Sequence, residues 1–167
     1  MITKQFTNNL IEACDVKMKH YVVKRVFTSM PKKEIKKNNI TYYIKWHMNR
    51  IFTLKIDTQI KKITMGPILP NVNKNSKMDK DFRKFIWSFI GSSAENHKRL
   101  SLTKKGVRIV NHNGNLSFSV VCDDDNYCNL LEKIIAITHQ VYTLFLRNGG
   151  YDEYLVDTFD IDLDSYF

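Results

Sequence analysis

Glycine and proline are scarce in this chain, six and three among 167 residues, so collagen-like, linker-like and proline-rich low-complexity readings are excluded. No apolar run approaches the ~18 residues that a spanning helix needs, which leaves peripheral contact as the expected mode at any membrane. The first residues, MITKQFTNNLIEACD, have no continuous apolar core and carry acids early, so they do not read as a secretory signal. Cysteine is limited to Cys14, Cys122 and Cys128, an odd number without a C-x-x-C pair. That argues against a disulfide framework and against a zinc site, and it fits a reducing compartment.

Acid is missing where base is dense. Residues 1–150 hold all 26 Lys and Arg with 11 of the 17 acids, a net +15, whereas residues 151–167 hold six acids and no base. Between Lys17 and Lys62, thirteen Lys and Arg face only Glu34 and Asp57. Such a field attracts nucleic-acid phosphate or anionic lipid and weakens with salt. Heavy use of Lys, Ile and Asn looks like coding bias, so the position of charge says more than its amount. The chain divides into a basic domain over 1–150 and an acidic, aromatic tail over 151–167. Its first 39 residues are read as a basic segment, flexible in part.

Apolar spacing predicts a short helix over 5–14 and leaves Val16 to Phe27 open between helix and strand. PKKEIKKNN, Pro31 to Asn39, reads as a solvated loop or exposed turn. Ile40 to Met65 is rich in Ile, Thr and aromatics. There Phe52, Leu54 and Ile56 alternate with Ile51, Thr53, Lys55 and Asp57, which predicts an antiparallel strand pair. Gly66 to Lys77, with two prolines, reads as a long mobile loop. Phe82, Phe85, Ile86, Phe89 and Ile90 have helical spacing behind a cap at Ser76 or Asp79, and Gly91 stands at the stop. RLSLT suggests a strand, and Asn113-Gly114 between two alternating runs predicts a hairpin. Asp123, Asp124 and Asp125 lead into a long helix that Asn148-Gly149-Gly150 ends. The order gives an α+β fold: one domain, an antiparallel sheet packed on two or three helices.

Candidate chemistry is thin. In FIWSFIGSS, Phe85 to Ser93, the glycine ends a helix, whereas a nucleophile elbow or phosphate loop puts glycine before one, so a helix cap is the preferred reading. The three aspartates lack the spacing of a calcium loop and suit a helix N-terminus. His20, His47, His97, His112 and His139 are scattered, and a ligand set formed by folding stays open beside ordinary structural roles. No motif for catalysis, metal or cofactor emerges, and the chain reads as non-enzymatic.

The strongest positive signal is the basic run. Lys17, Lys19, Lys24, Arg25, Lys32, Lys33, Lys36, Lys37, Lys61 and Lys62 are interleaved with Tyr21, Phe27, Tyr42, Tyr43 and Trp46. Lysine neutralises phosphate without reading base edges, so affinity without sequence preference is expected, the bland alternative being a solvated lysine-rich face. The acidic tail, with Tyr154, Leu155 and Phe159, can dock on its own chain, dock on a neighbour, or stay loose.

Two stretches, FIWSFIGSS and NGNLSFSVVCDDD (Asn113 to Asp125), resemble the matrix proteins of rhabdoviruses, in particular the small basic ones of plant-infecting cytorhabdoviruses and nucleorhabdoviruses. The first is similar to an aromatic helix ending in a Gly-Ser-Ser turn, the second to a glycine-led strand ending in acids. The resemblance implies a non-enzymatic virion protein that self-associates and condenses the nucleocapsid, its RNA and nucleoprotein. It also implies contact with the anionic inner leaflet and with glycoprotein tails, in virion, host cytoplasm and internal membranes, with the host nucleus as an option. The ten basic residues would then meet nucleocapsid or lipid, and Pro67, Ile68, Leu69, Pro70, Tyr154, Leu155 and Phe159 would serve self-association. No prolines are adjacent, so the P-P-x-Y motif of animal-virus members is missing, which speaks against recruitment of host scission machinery. The competing reading is a basic RNA-binding accessory protein, a silencing suppressor or movement protein, without a membrane role.

Overall fold

The computed structural model describes residues 4–166; residues 1–3 and Phe167, the ends of the two predicted segments, lie outside it. Among the described residues, six strands form one antiparallel sheet in the order β1-β2-β3-β4-β6-β5. They are β1 (Ser29–Lys36), β2 (Asn39–Lys45), β3 (Ile51–Asp57), β4 (Lys62–Leu69), β5 (Val107–His112) and β6 (Asn115–Val121). The helices are α1 (Lys4–Val23), α2 (Lys77–Trp87), α3 (Tyr127–Gln140), which runs on through a π-helical turn (Val141–Phe145) into α4 (Leu146–Asn148), then α5 (Asp152–Phe159) and α6 (Leu163–Tyr166). The fold is α+β, and no helix among these residues is long and apolar enough to cross a membrane.

Side-chain alternation sorts the sheet into two faces, because residues directly opposite one another in an antiparallel pair point the same way. Tyr42, Leu54, Met65, Phe118 and Ile109 stand opposite one another in sequence across β2, β3, β4, β6 and β5, and form an apolar row. Against this inner face pack Leu10, Cys14 and Met18 of α1, Phe82 and Ile86 of α2, and Leu131, Ile134 and Ile135 of α3, all buried. Tyr42 donates its hydroxyl to Asp15 of α1 at 2.7 Å, and Arg83 of α2 donates to the Ile109 carbonyl at 3.3 Å. The helices therefore cover one face, and among the described residues none covers the other.

Several local expectations are corrected. Helix α1 extends from Lys4 to Val23 and absorbs the ambiguous stretch as far as that residue, because Leu10, Cys14 and Met18 continue the i, i+4 spacing. The lysine-rich Pro31–Asn39 is mostly strand β1, held by pairing to β2; proline is tolerated there because β1 is an edge strand. Ile40 to Met65 holds parts of three strands and not a single pair: β2 from its second residue, β3, and the first half of β4. Gly66 to Leu69 is the rest of β4, not a mobile loop, with Ile68 and Leu69 fully buried. The β4–β6 register shifts between Met65 and Leu69, so Pro67 sits where a ladder N–H is not required. What remains of the loop is pinned: Val72 donates to Gly114 at 2.9 Å and accepts from the Asn111 amide at 2.9 Å.

Ser76 caps α2, its hydroxyl accepting from the Asp79 N–H at 3.2 Å. The helix ends at Trp87, earlier than the apolar spacing implied. Gly91 follows a further turn with φ +95, its carbonyl bound by Arg99 at 2.9 Å. Arg99 also donates to Ser92 and Ala94, so Gly91-Ser92-Ser93 is a clamped turn. RLSLT is not a strand; it contributes one bridge between Ile90 and Ser101. Asn113 and Gly114 adopt φ +51 and +84, the paired positive values that a tight two-residue hairpin demands. Asn126, not the aspartates, caps α3 by accepting from the Asn129 N–H at 3.1 Å.

The acidic tail folds back on its own chain. Leu155 is fully buried, Tyr151 donates to Asp81, and the Arg50 guanidinium lies 5.6 Å from the centre of the Phe159 ring. Ile68, Leu69 and Leu155 are thus enclosed in the monomer, and self-association through them requires this packing to open.

Candidate functional site

The uncovered face of the sheet is built by the second half of the same alternation. Thr41, Lys55, Thr64, Ser119 and Arg108 stand opposite one another from β2 to β5, and Lys36, Asn39, Asp57, Lys62 and Val121 form the next row. Lys32 and Tyr43 add a third row, and Lys45 lies opposite Ile51 at the end. The face presents Lys32, Lys36, Lys45, Lys55, Lys62 and Arg108 against Glu34 and Asp57.

Both acids are engaged. Glu34 pairs with Lys32 at 2.8 Å, and the hydrogen bond from that lysine, with its charge, holds the Glu34 carboxyl below its ordinary range. Asp57 accepts the backbone N–H groups of Gln59 and Ile60 in the β3–β4 turn. Lys36, Lys45, Lys55, Lys62 and Arg108 have no carboxylate within ion-pair distance among the described residues, so their charge faces solvent. Between them lie the hydroxyls of Thr41, Thr53, Thr64, Ser117 and Ser119. The result is an open polar platform with surplus positive charge and hydrogen-bond donors, suited to the phosphate backbone and unsuited to base-edge reading.

The ten basic residues singled out in the sequence divide in space. Lys32, Lys36 and Lys62 are on the platform, and Lys37 and Lys61 sit in turns at its edge, Lys61 paired with Asp125 at 3.1 Å. Lys17 is ion-paired to Glu132 of α3, which ties α1 to α3, and Lys33 to Asp15 of α1, which ties strand β1 to that helix. Lys19, Lys24 and Arg25 belong to α1 and the turn after it, away from the platform. Lys45, Lys55 and Arg108 were missed. The alternation in β3 pointed to Lys55, but only strand pairing brings Arg108 beside it.

Folding also joins two of the scattered histidines. His139 Nδ1 lies 3.1 Å from His47 Nε2, and the His47 ring stacks on Tyr142 at 4.3 Å and leans on Trp46 at 4.5 Å. They border a cavity of about 470 Å³ whose walls include Tyr21, Arg25, Trp46 and Ile135. Burial, then the neighbouring His139, pushes His47 down to about 3, and burial lowers His139. At neutral pH the pair is uncharged, one ring donating to the other. Glu132, the cavity's carboxylate, is held by Lys17. Among the described residues no group of three His, Cys, Asp or Glu is placed to hold a metal ion.

Comparison of the chain with family models, with curated proteins and with solved structures yields no match.

Proposed function

We propose that this chain is a non-enzymatic assembly protein of the rhabdovirus-matrix kind, which engages polyanions, the nucleocapsid and the anionic inner leaflet, through its uncovered sheet face. One observation carries the reading: a six-stranded sheet with its helices on one side and, on the other, Lys36, Lys45, Lys55, Lys62 and Arg108 without carboxylate partners among the described residues. Each phosphate contact releases condensed counterions, and each base near an anionic bilayer contributes about 1 kcal/mol. A platform of this breadth bridges two polyanionic surfaces when several copies assemble.

Sedimentation of the purified chain across decreasing salt, alone, with a single-stranded oligonucleotide and with phosphatidylserine-containing vesicles, tests the proposal. Co-sedimentation with both partners and growth in size at low salt are expected. A monomer that ignores both at low salt overturns it. Binding to the oligonucleotide, with neither vesicle binding nor self-association, assigns the same face to an RNA-binding accessory protein.

A further inference from the structure

The open face is recessed where β3, β4 and β6 cross its middle. Thr53, Lys55, Thr64, Gly66, His112 and Ser117 border a cavity of about 470 Å³, within the range of ligand-sized clefts. Gly66 admits Ser117 at close approach. It lies opposite Thr53, and a Cβ there would fall 2.4 Å from the Ser117 Cβ, so no side chain stands between these two hydroxyl-bearing neighbours.

The chemistry of the notch is one-sided. Among the described residues no carboxylate lines it. The Lys55 ammonium has no ion-pair partner among the described residues, and the hydroxyls of Thr53, Thr64 and Ser117 make no internal hydrogen bond there. His112, also in the wall, has its Nε2 3.3 Å from the Asn113 amide nitrogen. A pocket lined by an ammonium and three uncommitted hydroxyls is matched by an oxyanion with several acceptor oxygens.

We propose that this notch seats a phosphodiester group of a single-stranded nucleic acid, with Lys55 and the Thr53, Thr64 and Ser117 hydroxyls as its ligands. The inference rests on the polyanion-binding role of the face and assigns the site on it. A nucleic-acid strand is favoured over a lipid headgroup for two reasons. The donors are recessed hydroxyls of hydrogen-bond reach, whereas attraction to a bilayer surface needs only charge. The face also lacks apolar side chains for insertion: among its described residues only Ile51, at one end, is a large apolar group counted as exposed, at 44%. An extended strand can lower one phosphate into the recess, while a duplex keeps its phosphates on a rigid cylinder. Pro67 and the His112 ring at the walls offer ring surfaces to a sugar or a base, so base identity matters little.

The test is fluorescence anisotropy with a labelled mixed-sequence single-stranded oligonucleotide, its duplex, and phosphatidylserine vesicles, on the full chain and three variants. Thr53→Val with Thr64→Val removes two donors and no charge while suiting strands. It should weaken single-strand binding about tenfold or more with an unchanged salt slope, since hydrogen bonds to charged groups are the stronger ones. Lys55→Gln should weaken it at least as much and reduce the slope by about 0.7. Lys45→Gln, outside the notch, should reduce the slope equally with a smaller loss of affinity. If the double valine variant binds as wild type, and Lys45→Gln and Lys55→Gln are equivalent, the notch is overturned and the face stands. If wild type binds vesicles and no oligonucleotide, the notch assignment is overturned in favour of lipid. If it binds neither, the role of the face fails and the notch with it.

Discussion

Tyr154 in α5 donates its hydroxyl to the carbonyl of Pro70, at 2.5 Å, just after strand β4 ends. Two residues whose segments were expected to reach toward other copies are thus bonded within one chain. Leu155 beside it is fully buried, and the Tyr154 hydroxyl is pushed up from its ordinary value, mainly by burial. Replacing Leu155 by Ala should cost about 2–5 kcal/mol in urea denaturation, and Tyr154→Phe about 0.5–1.5 kcal/mol. Wild-type midpoints for both would mean that the tail is not docked in solution.

The His47–His139 pair sets a pH dependence. An unfolded histidine takes its proton near 6.5, whereas His47 in the fold does so only near 3. The folded state therefore binds fewer protons than the unfolded one between those values, and stability is complete above about 6.5 and declines as pH falls toward 3. His47→Gln should flatten this part of the stability curve in denaturant titrations from pH 7 to pH 4. An unchanged slope would contradict the buried, neutral assignment.

The three thiols should differ in reactivity. Cys14 and Cys122 are buried, and burial first of all pushes both thiols up, Cys122 to about 12, so little thiolate forms. Cys128 is partly exposed, its Sγ 3.9 Å from that of Cys14. Mass spectrometry after iodoacetamide treatment at neutral pH should show Cys128 modified first and all three only in denaturant. Rapid modification of Cys14 in the native protein would contradict the packing of α1 against α3, and rapid modification of Cys122 would contradict its burial just after β6.

The fold class was legible from periodicity, and so were β3 and the Asn113-Gly114 hairpin, because in each the local signal and the tertiary environment agree. Strand β1 was not, since its lysines carry no apolar alternation and Ile35 is 52% exposed; pairing with β2 alone makes it a strand. Strand β4 was hidden by Gly66 and Pro67, turn-forming residues that here serve a register shift. Helix α1 was read short because Cys14 was not counted among the apolar positions, although its i, i+4 relation to Leu10 and Met18 was there to find. The platform was half legible. Charge density pointed to Lys32, Lys36 and Lys62, but Lys45, Lys55 and Arg108 join them only through strand order, which no spacing in the chain encodes.

The central claim is that charge on the uncovered sheet face, and not total charge, drives polyanion binding. Its most direct test compares two five-fold glutamine variants of equal net charge: Lys36, Lys45, Lys55, Lys62 and Arg108 on the platform, and Lys19, Lys24, Arg25, Lys80 and Lys84 in or next to the helices. The measurement is the slope of log binding constant against log salt for a single-stranded oligonucleotide. The platform variant should lose about 3.5 units of slope, at about 0.7 per contact removed, and the helix-side variant should keep nearly all of its slope. Equal losses in the two variants would contradict the account.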